Sequence, residues 1–456
     1  MDDTTTLYVS AEKIHPREVG GRFERLRTFA TLALLGIYYV TPWLRWDDRQ
    51  AVLFDLPARR FYIFDLTFWP QDFFFMAWLL IIAGVSLFFV TALAGRMWCG
   101  YACPQTVWTN AFVWMERIAE GKRSKRIKLD KAPWTREKLL RKGAKQLMWV
   151  TFALWTGFTF VGYFTPILEL GHEIVTLNMG GWEVFWVLFY SFATYGNAGI
   201  MREQVCKYMC PYARFQSAMF DRDSLIVSYD PGRGEPRGSR KRGEPREATP
   251  LGDCIDCTLC VQVCPTGIDI REGLQYECIA CAACIDACDG VMDKMGYPRG
   301  LVRYTTENAL EGKRSRIFRP RTAVYGVLLT VLIAGLVAAL LTRNELRLDV
   351  LRDRNALYRE LASGQIENVY TLRVTNKTEI DKQVSLAVDG LPGLTVDSGA
   401  ASFTAKAGEL TTVAARVQAD ADSAPGGGHE IRFTVRSTAD PDVSAESATR
   451  FFLPLD

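Results

Sequence analysis

The chain has 456 residues, with 54 Lys and Arg against 51 Asp and Glu, a formal net charge of +3, and 49% hydrophobic residues. Its mean hydropathy lies close to zero, an average that conceals long apolar runs beside polar domains. Only His15, His172 and His429 are present, none pairs with another in an apolar run, and no CxxCH occurs, which speaks against haem.

Residues 1–25 are polar and charged, read as a cytoplasmic N-terminus without a cleavable signal peptide. Apolar runs follow at about 26–44, 72–94, 146–165, 182–201 and 323–342. Each is long enough to cross a hydrocarbon core of roughly 30 Å at about 1.5 Å per helical residue. Five crossings are therefore expected, the fourth the weakest because Ser191, Thr194, Tyr195, Gly196 and Asn197 make its second half polar. The loop between the second and third runs is dense in Lys and Arg, whereas residues 166–181 contain none. The positive-inside rule then puts residues 1–25 and 202–321 in the cytoplasm of a bacterial inner-membrane protein, and residues 343 onward in the periplasm. A basic run can also bind nucleic acid or lipid headgroups, but beside apolar spans topology explains it, and no nucleic-acid partner is expected. All twelve cysteines precede Gly290, so the expected periplasmic tail has none.

Within the region 26–210, Cys99 and Cys103 stand in WCGYACPQT and Cys206 and Cys210 in VCKYMCPYA, each after an apolar run. The repeated CxxxCP suggests two parallel hairpins. If the helix continues through the motif, cysteines at i and i+4 share one face, and two hairpins side by side bring four thiols together. Met97, Met201 and Met209 add thioethers, a donor set suited to a soft metal. Ordinary helix packing, a third iron–sulfur or a zinc site, and a copper-binding or redox-active thiol site all remain open at this point.

Residues 211–250 read as a cytoplasmic segment ending in a flexible linker, since 230–250 are rich in Gly, Pro and charge, a stretch that could equally be clamped onto the basic membrane-proximal surface. Two CxxCxxCxxxC runs follow in the region 251–300, a small α+β ferredoxin-like domain. Eight thiolates at this spacing are the ligand set of two [4Fe-4S] clusters, with the fourth ligand exchanged between runs. Cys254, Cys257, Cys260 and Cys288 are assigned to one cluster, and Cys264, Cys278, Cys281 and Cys284 to the other. Pro265 fits the bacterial pattern, whereas Asp289 replaces the second proline. Zinc knuckles use longer spacers between CxxC pairs, and disulfides do not suit a reducing compartment.

Residues 301–321 form a basic connector to the fifth span, 322–342. Beyond it, residues 343–456 alternate apolar and polar positions in VYTLRVTN, KQVSLAVDG, LTTVAARVQ and HEIRFTVRS, an antiparallel immunoglobulin-like sandwich without a disulfide. From 345 to 456 the tail holds 12 Lys and Arg and 17 Asp and Glu, a net charge of −5, in contrast to the basic loops. The expected whole is a multi-domain membrane protein, combining an α-helical bundle of about five spans, the two-cluster domain and the all-β tail.

The segments KIHPREVGGRFERLRTF, GIYYVTPWLRWDDRQAVLFDLPARRFYIFDLTFWPQDF, TYGNAGIMREQVCKYMCPYARFQSAMFDRD and QYECIACAACIDACDGVMDKMGYPRGLVRYTTE resemble the cytochrome c oxidase accessory protein family known as CcoG, FixG or RdxA. The resemblance spans nearly the whole chain. It implies a membrane-bound polyferredoxin that assists assembly of cbb3-type oxidase, meets assembly factors or copper carriers, and acts as a cupric reductase, an oxidoreductase turning Cu(II) into Cu(I). It also implies that Cys99, Cys103, Cys206 and Cys210 are the copper or redox thiols. The competing readings are a conduit that takes electrons from quinol or an unidentified cytoplasmic donor, and a scaffold whose clusters only staple a small domain.

Overall fold

The computed structural model describes residues 13–241, 250–353, 356–378 and 380–454. They form two compact units, one built from residues up to 58, 62–64 and 76–333, the other from 59–61, 65–75 and 334 onward.

In chain order, α1 (Arg22–Val40) leads into five short strands, β1 (Arg45–Trp46), β2 (Arg49–Gln50), β3 (Val52–Asp55), β4 (Arg60–Ile63) and β5 (Leu66–Phe68). The helices α2 (Phe73–Ala94), α3 (Met97–Tyr101), α4 (Pro104–Glu120), α5 (Arg123–Lys131), α6 (Arg136–Val161), α7 (Ile167–Thr176) and α8 (Gly181–Thr194) follow. Two π-helical stretches, Tyr195–Met201 and Val205–Met209, precede α9 (Pro211–Met219).

Helices stand at all five expected spans, but by length and composition only Phe73–Ala94 and Pro320–Leu341, among the described residues, are apolar enough to cross a membrane. The other three fall short for visible reasons. The first turns of α1 carry Arg22, Glu24, Arg25 and Arg27, α6 opens on REKLLRKGAK, and α8 ends after 14 residues where the polar Tyr195–Met201 stretch begins. Large apolar side chains nonetheless face outward from all three, among them Phe29, Ile37, Leu147, Leu188 and Phe192.

Inside the bundle, Phe112, Met115, Trp149, Ala153 and Ala198 form a core between α4, α6 and the first π stretch. Small residues allow the close approach: a Cβ on Gly157 of α6 would lie 2.3 Å from the Val187 carbonyl of α8. Beside this core lies a buried ion network. Glu116 is fully buried and takes Arg202 at 2.6 Å, with Arg126 and Lys13 each at 3.4 Å. Burial raises the Glu116 carboxyl, but Arg202, Lys13 and Arg126 outweigh it and hold the group down to about 2.

The cysteine-rich domain is wider than 251–300. Its two-stranded antiparallel sheet pairs β6 (Ile226–Tyr229) with β7 (Val302–Thr305), one strand from each flank. Between them lie the short helices α10 (Pro231–Gly234) and α11 (Leu259–Gln262), and the longer α12 (Ala283–Met295). The expected flexible linker departs from the structure over 230–241. Arg233 pairs with Asp253 at 2.6 Å, Arg240 donates to the Tyr297 hydroxyl at 2.8 Å, and the Gly238 amide donates to the Cys254 carbonyl. Its charges are partners for the cluster domain instead of solvated spacers. Residues 242–249 lie outside the described residues.

A remote cap ties α12 to α1. Asp286, between Cys284 and Cys288, accepts from the Glu24 amide at 2.7 Å and the Phe23 amide at 3.2 Å, the free donors at the start of α1. Gly21 leaves room for it, since a Cβ there would lie 2.2 Å from the Asp286 carboxyl.

After α13 (Glu307–Leu310) and α14 (Pro320–Leu341), the second unit is a sandwich of two antiparallel sheets. One has the order β12 (Thr395–Val396), β14 (Leu410–Asp420), β10 (Gln365–Asn376), β8 (Leu346–Arg352), with β9 (Arg359–Glu360) on β10. The other has the order β13 (Ser402–Ala405), β11 (Lys382–Asp389), β15 (Gly427–Ser437), β16 (Ser444–Leu453). All four alternating segments read from the sequence are strands, because alternate positions such as Leu372, Val374, Phe433 and Val435 fill a fully buried core. Asn368 joins the sheets, its amide donating to the Phe452 carbonyl at 2.9 Å while its oxygen accepts the Phe452 amide at 3.1 Å.

Candidate functional site

Eight cysteines lie on two similar loops. The first run wraps α11, and the second feeds into α12, which carries Cys284 and Cys288. In both runs the backbone turns left-handed at the same two offsets after the first cysteine: Asp256 and Thr258 (φ +52° and +54°), Ala280 and Ala282 (φ +50° and +59°). Non-glycine residues cost about 1–3 kcal/mol each in such a conformation and persist where a site demands it. Alternating right- and left-handed residues turn successive amides to one side, the nest that receives anionic iron–sulfur groups.

Two cavities result. One is lined by Cys254, Cys257, Cys260 and Cys288, the other by Cys264, Cys278, Cys281 and Cys284, with Cys260 on its edge. Each thus brings three thiols of one run to a fourth from the other. Asp289 explains itself here: α12 continues unbroken through Cys288 to Met295, which a proline would interrupt, and Asp289 accepts the Gly300 amide at 2.9 Å. Burial pushes the Cys278 and Cys288 thiols up to about 12 and Cys260 to about 11, with neighbouring thiols adding to the rise at Cys288. Two cavities, each lined by three thiols of one run and a fourth from the other, present a donor set that fits iron–sulfur clusters.

The four CxxxCP thiols are also brought together, though not by a continuous helix. Cys103 and Cys210 are extended N-cap residues, each followed by the proline that opens α4 or α9. Helix α3 stops at Tyr101 and the second π stretch at Met209, so each motif is a break between helices. Gln105 ties the first motif to the stretch just before the second, its amide donating to the Asn197 and Arg202 carbonyls at 2.8 and 3.0 Å. Burial first, then the neighbouring thiols, push Cys99 up to about 12 and Cys206 to about 11. Among the described residues no group of three or more His, Cys, Asp or Glu is placed to hold a single metal ion.

Two residues missed in the sequence link this quartet to the ferredoxin loops. Gly100, inside the first motif, lies against them so closely that a Cβ would sit 2.8 Å from the Ile279 carbonyl and 2.9 Å from the Cys281 Cα. Arg96 is 4% exposed, donates to the Tyr276 and Ala213 carbonyls, and faces Cys99, Cys206, Cys210 and Cys278 electrostatically. The available signal was an asymmetry in the repeat: Cys99 is followed by glycine, Cys206 by Lys207. Met97 and Met209 are exposed, and His172 lies on α7.

Comparison with known proteins agrees with this geometry. Residues 201–307 match a family described as a 4Fe-4S dicluster domain, residues 74–126 a 4Fe-4S binding domain, and residues 336–454 the immunoglobulin-like fold at the C-terminus of FixG. The nitrogen fixation protein FixG of Rhizobium meliloti (strain 1021) is 43% identical over 428 residues, covering 86% of this chain and 82% of that protein. Protein RdxA of Cereibacter sphaeroides is 44% identical over 85% of this chain and 84% of its own length, and RdxB of the same organism 43% over 90% and 89%. A crystal structure of a FixG-related protein from Vibrio parahaemolyticus is 27% identical with a TM-score of 0.22, covering 25% of this chain and 99% of that one. With paired thiol cavities in its cysteine-rich domain and relatives of this similarity over most of its length, the chain belongs to the FixG/RdxA family of iron–sulfur electron-transfer proteins.

Proposed function

We propose that the protein passes electrons from its ferredoxin loops to the CxxxCP thiols, and that Cu(II) is reduced there to Cu(I) during assembly of a cbb3-type oxidase. The observation that carries this reading is the approach of Gly100 to Ile279 and Cys281, which makes the thiol quartet a neighbour of one cavity. Cys254, Cys257, Cys260 and Cys288 would hold one [4Fe-4S] cluster and Cys264, Cys278, Cys281 and Cys284 the other. The clusters supply one electron at a time. This chain's own groups do the rest. Cys99 and Cys206 offer soft donors that favour Cu(I) over Cu(II), and the Arg96 guanidinium balances negative charge between the two thiol sets. Copper is here a passing substrate. A scaffold would have no use for a close-packed contact between the two thiol sets.

The same reading places the chain in a bacterial inner membrane with five crossings, residues 202–321 cytoplasmic and 343 onward periplasmic. It is supported by the two long apolar helices, the outward apolar residues of α1, α6 and α8, and the basic loops on one side.

The test uses purified protein in detergent, reduced anaerobically with dithionite, desalted and mixed with Cu(II) while a Cu(I) chelator and cluster absorbance are followed. Cu(I) should appear in step with cluster reoxidation and fall at least tenfold when Cys99, Cys103, Cys206 and Cys210 are all Ser. Reoxidation that ignores those substitutions rejects the copper reading.

A further inference from the structure

Between α1, α4 and the ferredoxin loops lies a cavity of about 460 Å³. One wall is a stripe of α1, Thr28, Thr31, Leu32 and Leu35, at helical spacing, and another is the facing side of α4. Its floor touches both thiol sets, through Cys206 and Cys281. Arg202 also lines it, and several unusual features meet at that residue. It ends a π-helical stretch, its backbone is held at φ +43°, and it is 7% exposed. Its Nη2 is committed to Glu116, while its Nη1 is buried without a hydrogen-bond partner. Local π-helix and left-handed strain accompany functional positions, and an unmatched buried donor costs about 1–3 kcal/mol unless something accepts from it.

We propose that this cavity binds a lipid-soluble quinol, with a ring oxygen accepting from Arg202 Nη1. Glu116 is shared by Arg202, Arg126 and Lys13, so the guanidinium keeps positive charge for a ring oxygen to accept from. The ring lies between Cys206 and Cys281, and the apolar tail leaves past Leu32 and Trp114, both exposed on the outer side of the helices. The inference rests on the electron-transfer reading above and names its electron source. One quinol loses two electrons and two protons and becomes a quinone. Bound clusters would take the electrons, one each, and the protons leave to water past the Glu203 carboxylate in the cavity wall. The two-electron carrier thereby matches a two-cluster acceptor.

The test is photolabelling of the purified holoprotein with an azido-quinone, followed by peptide mapping, beside decylubiquinol-dependent bleaching of the clusters. Label should fall in residues 28–35 and 105–117, be displaced by excess decylubiquinone, and drop at least tenfold in Leu35→Trp, which fills the cavity. If Leu35→Trp loses cluster absorbance, Asn110→Trp serves, because Asn110 is exposed at the cavity edge and tolerates bulk. Label scattered over outward-facing helices without competition, label indifferent to both substitutions, or label displaced only by phosphatidylglycerol would each overturn the proposal. Dithionite-driven formation of Cu(I) in the same preparation separates the two ideas: if it persists while labelling fails, only the quinol site falls.

Discussion

The cluster domain and the C-terminal sandwich reach a fixed structure by opposite means. The sandwich buries Tyr370, Leu372, Val374, Phe433, Val435 and Phe451 completely and contains no cysteine. Its stability comes from apolar area removed from water. In the cluster domain, cysteines sit in the core beside alanines, and four non-glycine residues of its loops are held left-handed. These loops carry local strain at the positions that hold the cysteines, and metal binding is expected to provide folding energy there. A chain can thus contain one domain whose fold is a property of its sequence alone and another whose fold is shared with its cofactor.

The widest separation should follow iron removal. Chelation under reducing conditions, or Cys284→Ser, is expected to abolish visible cluster absorbance and open the cluster domain to protease. The sandwich should remain resistant in the same digest, and joint loss would break the contrast. Phe433→Ala is the converse. It removes a buried ring packed edge-to-face on Tyr370 at 5.1 Å and should cost about 3–5 kcal/mol in denaturant unfolding of the sandwich, with cluster absorbance untouched.

Charge gives a third case. Glu116→Gln leaves Arg202 and Arg126 buried without their counter-ion and should cost about 3–5 kcal/mol. The Glu116 carboxyl is depressed in the folded state, so its contribution is complete above the ordinary carboxylate range and is lost as pH falls toward about 2. The gap between wild type and Glu116→Gln should therefore narrow on acidification across that window, as followed by unfolding at a series of pH values. A smaller effect is expected from the strained loops. Ala280→Gly relieves a left-handed alanine at φ +50° and should change stability by about 1 kcal/mol in favour of the folded, cluster-loaded domain, read from the rate of cluster loss in denaturant.

How much was legible follows the same division. The sandwich strands were readable because period-two alternation is imposed locally by one buried face, as at Leu372 and Val374. The eight ferredoxin cysteines were readable because ligand spacing is a short-range requirement. What the sequence hid were pairings between distant residues. Arg233 and Arg240 look like linker charges until Asp253 and Tyr297 are beside them. Residues 45–68 form short strands that no long apolar pattern announces. The break at each CxxxCP was written in Pro104 and Pro211, which cannot donate within a helix, yet the i, i+4 cysteine spacing suggested continuity.

Asp286 couples two helices of the architecture. It stands between two cysteines of α12 and caps the start of α1, so the cap is in place only when α12 is held in position. The fastening of the first helix is thereby written into the helix that bears Cys284 and Cys288, so a displacement of α12 that moves its cysteines also withdraws both acceptors from the start of α1.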